Sequence, residues 1–179
     1  MSERLSKSDW IDHGLVTLAR DGPASLKAGP LAAGLEVSRG SFYWHFRDLA
    51  DFRDQVLQRW RERSTERVID DLEAREGEPD RFRQLMRSAF DGQRTLDRAI
   101  RSWAAHDPAV AAVVAEVDAL RVGYIAKLLV ASGVAPARAD SRAAFAYWAF
   151  LGQPIVMDPR HAAITGEELD EISALLEAF

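Results

Sequence analysis

Residues Ser25 to Phe52 read "SLKAGPLAAGLEVSRGSFYWHFRDLADF". Leu31, Ala32 and Leu35 recur at helical spacing after Ser25, which predicts a short helix with those three facing inward. Glu36-Val37-Ser38 is too brief to be anything but a turn. Ser38 is a good N-cap for a third helix through Phe46, and Asp48 caps a fourth. On the third helix Phe42 and Phe46 share a face, since side chains four apart stack along a helix. With Leu31, Leu35 and Val37 they can make a small core. Arg39, Ser41, Tyr43, Trp44 and His45 are then left more exposed, and an exposed Tyr and Trp lower solubility unless they touch something.

Upstream, Ser6 and Asp9 have the spacing of a capping box, and Ile11, Leu15, Leu18 and Ala19 form one apolar face. Gly22 and Pro23 stop that helix. A first helix backing two short helices joined by a tight turn is a helix-turn-helix unit. In such a unit the second helix of the pair enters the DNA major groove with its N-terminal residues toward the base edges. Each exposed residue suits DNA. The Tyr43 hydroxyl and a His45 ring N–H can donate to phosphate, and Trp44 offers a flat apolar surface to sugar or a thymine methyl. Arg39 can reach phosphate or guanine, and Gly40 lets the backbone come close.

Downstream, Leu49, Phe52, Val56 and Trp60 recur at spacings of three and four. This fourth helix is expected to run to about Glu76, or about 43 Å. Its polar middle, "QRWRERSTER", is expected to be solvated, a bridge between two cores. Beyond Gly77-Glu78-Pro79, Phe82, Leu85, Met86 and Ala89 make one stripe, and Leu96, Ala99, Ile100 and Trp103 the next. Asp107-Pro108 opens a long helix with Val110, Val113, Val117, Leu120, Tyr124 and Leu128 inward, ended by Gly133. Pro136 starts another, containing the all-apolar "AAFAYWAFLG". Thr165 and Glu168 box the last, along which Leu169, Ile172, Leu175, Leu176 and Phe179 recur. With no strand alternation or repeat, the expected fold is all-α. It has an N-terminal helix-turn-helix domain over 1–47, a connecting helix over 48–76, and a C-terminal bundle over 77–179.

The chain has 179 residues, a net charge of −5 and no cysteine. Disulfides, thiolate metal sites and thiol nucleophiles are therefore excluded. Residues 1–47 carry six basic side chains against five acidic, and the remainder 17 against 23. Any anion-binding face must be local and at the front. The polar start does not resemble a secretory signal, and the longest apolar run, Ala143 to Gly152, falls far short of a membrane span. The expected setting is the cytoplasm. His13, His45, His106 and His161 are scattered, and no catalytic constellation, phosphate loop or zinc pattern is present, so neither an enzyme nor a metal or other cofactor is expected.

The quoted stretch resembles the DNA-binding region of TetR-type (tetracycline-repressor-like) transcriptional regulators. The resemblance rests on Ser25-Leu26, Leu31-Ala32, Leu35, Val37-Ser38, Gly40-Ser41-Phe42-Tyr43, His45-Phe46 and Asp48, and is specific from about Ser8 to Trp60. It implies that Tyr43 and His45 contact phosphate and that Arg39, Ser41 and Trp44 lie at the groove. It also implies that Lys27 contacts the DNA backbone, with Ser25, Ser38 and Gly40 completing the DNA-binding set. Three positions depart from the pattern. Pro30 lies where the second helix should be continuous, Glu36 stands where the turn often carries glycine, and Leu49 replaces a frequent lysine.

The resemblance further implies a homodimer and a small-molecule effector bound in the rear half, in a regulator that is most often a repressor. From the residues alone, Trp103, Tyr124, Phe145, Tyr147, Trp148 and Met157 could line a cavity for an apolar or amphipathic effector. Gln153 or His106 would be its polar handle. Core packing is the alternative for each of them. The last two helices, about 136–179, are the dimer candidates, because their apolar surface exceeds what one partner layer covers. A two-fold dimer would read a palindromic operator through recognition helices about 34–36 Å apart, with the fourth helix as a lever. The alternative reading is a helical ligand-binding or adaptor protein with a decayed DNA-binding unit.

Overall fold

A computed structural model describes residues 5–78, 80–91, 95–156, 158–161 and 163–178. They are helical almost throughout, with no strand among the described residues. The helices are α1 Lys7–Asp21, α2 Ala28–Gly34, α3 Arg39–Phe42, α4 Leu49–Arg61, α5 Arg67–Glu73 and α6 Arg81–Asp91. After them come α7 Thr95–Ala104, α8 Pro108–Ala131, α9 Pro136–Gly152 and α10 Gly166–Glu177. No helix among the described residues is long and apolar enough to cross a membrane. The chain forms two compact units. One comprises α1 to α4, the turn that follows α4, α7 and the start of α8 up to Ala115; the other comprises α5, α6, α8 from Glu116, α9 and α10. These units cut the chain differently from a division at residues 47 and 76, because α7 packs on α1.

In the first unit, the box at α1 forms as its sequence suggests. The Ser6 hydroxyl accepts from the Asp9 amide at 3.3 Å, and the Asp9 carboxylate accepts from the Ser6 amide at 2.7 Å. Around α1 lies an aromatic core of Trp10, Phe42, Phe46 and Phe52, all buried. Phe46 and Phe52 meet edge to face at 4.9 Å, and Phe42 and Phe52 at 5.4 Å. Each such burial contributes roughly 2–3 kcal/mol and each ring pair about 1 kcal/mol more. Gly14 makes the close approach of α1 to α4 possible: a Cβ there would stand 2.6 Å from Phe52 Cζ. Further along the same contact, Arg59 donates to Asp12 at 2.9 Å and to Ser8 at 3.2 Å. The Trp60 indole donates to Asp97 of α7 at 3.0 Å.

Several expectations about the helices need correction. The second helix follows Ser25, but not directly. Pro23–Ser25 form a 3-10 turn, and α2 starts at Ala28. Pro30 thus falls in the first turn, where an amide has no intrahelical acceptor anyway, so the proline costs no hydrogen bond. The third helix does not continue as α-helix through Phe46. After four residues it tightens, with Tyr43, Trp44 and His45 amides bonding three residues back. Ser38 occupies the N-cap without a side-chain capping bond. The fourth helix is not one α-helix with a solvated middle: Trp60 and Thr65 are buried, and Glu62–Glu66 form a π-helical turn before α5 ends at Glu73. Leu120 lies exposed where an inward position was expected, and Val114 is buried instead.

The second unit is built on Phe82, Met86, Leu128, Leu129, Ala143 and Leu169, all buried. Thr165 and Glu168 close a capping box at the start of α10. Polar ties reinforce the packing: Arg83 to Glu177 at 2.9 Å and Arg87 to Asp170 join α6 to α10. Arg142 donates to the Leu176 carbonyl at 2.8 Å, joining α9 to α10. Gly133, at φ 101°, follows α8 as its stop.

Candidate nucleic-acid interface

The short α3 is held from below and bare above. Phe42 and Phe46 anchor it in the aromatic core, while Tyr43 and Trp44 stand 53% and 79% exposed. The Tyr43 ring rests edge-on against Phe42 at 5.3 Å, which steers its phenol without enclosing it. His45 is half-buried, its ring 6.4 Å from Trp10 and 6.3 Å from Phe46. Ser38, Arg39 and Gly40 are exposed at the start of the helix, and Ser41 is half-buried. A Cβ at Gly40 would meet only the Ser38 hydroxyl, at 3.8 Å, so the surface beside it is open to a close-fitting partner.

The preceding turn aims this helix. Glu36 takes a left-handed φ of 57°, a conformation that costs an L-residue about 1–2 kcal/mol. The Leu35 and Val37 amides bond back to the Leu31 and Ala32 carbonyls, so the chain reverses over three residues. Lys27 is exposed at the N-cap of α2. The half-buried Ser25 spends its hydroxyl proton on the Gly22 carbonyl, and its oxygen can still accept.

Two cations beside this surface were not singled out from the sequence. Lys7 sets its ammonium 5.3 Å from the Phe46 ring, and Arg47 projects from the turn after α3 with its side chain 86% exposed. Only the packing of α1 against α3 reveals Lys7. Arg47 was legible as a cation adjoining an aromatic helix. Asp51 accepts from the Arg47 amide at 3.0 Å, and that bond holds its carboxyl below the usual range.

The described effector candidates are divided between the two units and differ in exposure. Trp103 and His106 belong to the first unit, where Trp103 is buried and donates to Asp107 at 3.3 Å, and His106 is exposed. In the second unit Tyr124 and Tyr147 are buried, but Phe145 and Trp148 are 58% and 68% exposed. From Ala143 onward α9 is apolar all round, and only one side of that stretch meets its own core. Gln153 is half-buried, with its side-chain oxygen enclosed and unpartnered. Met157 lies outside the described residues. Burial, then the Glu73 carboxylate, push the Tyr124 phenol up to about 12. Tyr147 donates to Asp118 at 2.6 Å. A cleft of about 640 Å³ in this unit is lined by residues including Arg81, Arg83, Leu128, Ser132 and Glu177, and by none of the described candidates.

No family model matches the chain, and no curated protein matches its sequence. Solved structures do share its fold. A member of the TetR family from Streptomyces coelicolor A3 is 24% identical, with a TM-score of 0.70 over 98% of this chain and 100% of that one. A protein described as a transcriptional regulator, from Streptomyces coelicolor A3(2), is 18% identical at 0.69, covering 97% and 99%. The multidrug-binding protein EbrR, solved with imidazole, is 24% identical at 0.63, covering 95% and 88%. With a short aromatic helix exposed after a tight turn in one unit and a helical bundle as the other, the chain has the fold of TetR-family transcriptional regulators.

Proposed function

We propose that the protein is a sequence-specific DNA-binding transcriptional regulator, most plainly a repressor, that acts in the cytoplasm. The observation that carries this reading is Trp44, 79% exposed beside an exposed Tyr43 on a helix whose opposite side is locked into the core. Solvent gives no reason to hold a large indole there, whereas sugar and base edges do. Arg39, Lys27 and Arg47 supply cations around it, and Ser41 and His45 further donors. The absorption of Pro30 into the first turn of α2 removes one reason to prefer a decayed unit.

The operator would be palindromic and read by a homodimer through α9 and α10. Support comes from Phe145, Trp148 and Leu175, all more than half exposed on those two helices. Covering such a surface takes a second helical layer, and a two-fold pair of the same helices provides one. That EbrR is a multidrug-binding protein solved with imidazole supports a small-molecule effector here. The described interior favours the neighbourhood of Tyr124, Tyr147 and Gln153 over the exposed Phe145 and Trp148 as its lining.

Selection of bound duplexes from random oligonucleotides, followed by anisotropy titration, tests this. A palindromic enriched site, bound in a salt-sensitive way and lost on Tyr43→Ala with His45→Ala, is the expected result. Failure to enrich any site would overturn it.

A further inference from the structure

One stripe of α1 meets three rings. Lys7, Trp10 and Gly14 follow one another at steps of three and four, so they share a face of the helix. The Lys7 ammonium stands 5.3 Å from the Phe46 ring, Trp10 meets Phe42 edge to face, and Gly14 faces Phe52. Those three rings touch one another in a closed triangle. Phe42 and Phe46 lie 5.0 Å apart, Phe46 and Phe52 4.9 Å, and Phe42 and Phe52 5.4 Å. Two of the rings anchor α3, and the third belongs to α4.

Glycine is the poorest helix former after proline, yet Gly14 is buried in the middle of α1. Its missing side chain leaves the place that the end of the Phe52 ring takes. A Cβ there would stand 2.6 Å from Phe52 Cζ and 3.1 Å from Val56 Cγ2. Neither neighbour has room to retreat, because both side chains are fully buried. Helix α1 cannot easily back away either, since Arg59 of α4 donates to its Asp12 and Ser8. Volume added at position 14 is therefore passed to the rings that touch Phe52. Those rings carry α3, whose four residues have little stiffness of their own.

We propose that Gly14 is a positioning residue for DNA recognition. Through Phe52 it sets the seat of Phe42 and Phe46, and with them the height at which Tyr43 and Trp44 stand. The consequence for DNA rests on the function proposed above; the seat itself does not.

The test uses the full chain carrying Gly14→Ala, Phe52→Leu, or both. Leucine lacks the Cε and Cζ atoms that the new methyl would strike. With folding checked by circular dichroism, Gly14→Ala is expected to bind the duplex selected by the wild type roughly tenfold more weakly. An unrelated duplex, held by phosphate charge alone, is expected to bind as before. Added to Phe52→Leu, the same methyl is expected to lower neither stability nor affinity. Folded Gly14→Ala with wild-type affinity would overturn the proposal, as would an equal loss on both duplexes. So would a methyl that weakens Phe52→Leu, and this comparison decides the matter if Gly14→Ala alone does not fold. Amide hydrogen exchange over 42–46 reads the seat without DNA. It is expected to be faster in Gly14→Ala than in the wild type, and no faster in the double variant than in Phe52→Leu; exchange unchanged by Gly14→Ala would remove the seat. A wild-type chain that binds no DNA would instead defeat the proposed function and leave the exchange result to decide the seat.

Discussion

Trp10 of α1 stands edge to face on Phe42 of α3, with ring centroids 5.5 Å apart and planes at 78°. A four-residue helix has too few hydrogen bonds to hold itself in water. Its position depends on this contact and on the Phe46 and Phe52 rings beside it. The Trp10 indole N–H is enclosed without a hydrogen-bond partner, so the residue is present for its bulk and shape.

Trp10→Ala should cost about 3–5 kcal/mol of stability, by loss of transfer energy and by the cavity left behind. Trp10→Phe should cost clearly less, because it keeps a ring and removes the unpaired donor. Urea denaturation of both variants checks the order; equal losses would contradict it.

Trp44→Ala should leave the unfolding midpoint nearly unchanged, because the side chain is 79% exposed. Affinity for the selected operator should fall roughly tenfold, the equivalent of about 1–2 kcal/mol of lost contact. A large stability change with intact binding would place this side chain in the scaffold.

Glu36→Gly should raise stability by roughly 0.5–1 kcal/mol. Relief of the left-handed backbone outweighs the greater unfolded-state freedom of glycine. Thermal unfolding should show a rise of a few degrees. A lower melting temperature would mean that the Glu36 side chain contributes to the turn.

Leu175→Glu and Trp148→Glu should each weaken self-association, since each places a charge on the bare apolar stripe of α9 or α10. Sedimentation should show the wild type as a dimer and the variants shifted to monomer at micromolar concentration. Monomeric wild type would end the dimer reading.

Acid should weaken the fold in two windows. Burial, and secondarily Arg20, depress the His13 pKa below its ordinary 6.5. The unfolded chain therefore takes up a proton that the folded chain resists. Stability is fully present above 6.5 and declines as pH falls toward the folded value. A lower window opens below the ordinary aspartate value of 3.8, where the unfolded chain protonates Asp9 and Asp51 while the folded chain resists, through the Ser6 bonds and, for Asp51, first the Arg47 amide. Denaturation midpoints measured from pH 8 to pH 3 should show both declines, and His13→Gln should erase the first.

Local signals in the sequence foretold local structure. The boxes at Ser6 and Thr165, the stop at Gly22, the cap at Asp107 and the inward pair Phe42 and Phe46 all depend on residues within one or two turns of each other. The buried role of Trp10 depends on a ring more than thirty residues away, so α1 periodicity alone pointed to its Ile11 and Leu15 neighbours. "QRWRERSTER" looked solvated because polar residues usually are. The stripe of Phe52 and Val56 already turned Trp60 inward, whereas the bond from its N–H to Asp97, distant in sequence, and the π turn after α4 are not legible in α periodicity. The aromatics of α9 could be recognised as apolar, but which side of the apolar stretch from Ala143 meets its own core is decided by neighbours. The exposure of Tyr43 and Trp44 on α3 was readable in the sequence; Lys7 needed the packed fold to bring it near the Phe46 ring.

Adjacent positions 42, 43 and 44 answer to different masters. A change at 42 is paid in folding, whereas 43 and 44 owe the interior little and can be rewritten without endangering the scaffold. Under the proposed function, descendants of this chain are free to drift toward new target sequences by one or two substitutions, while the buried rings beneath stay as they are.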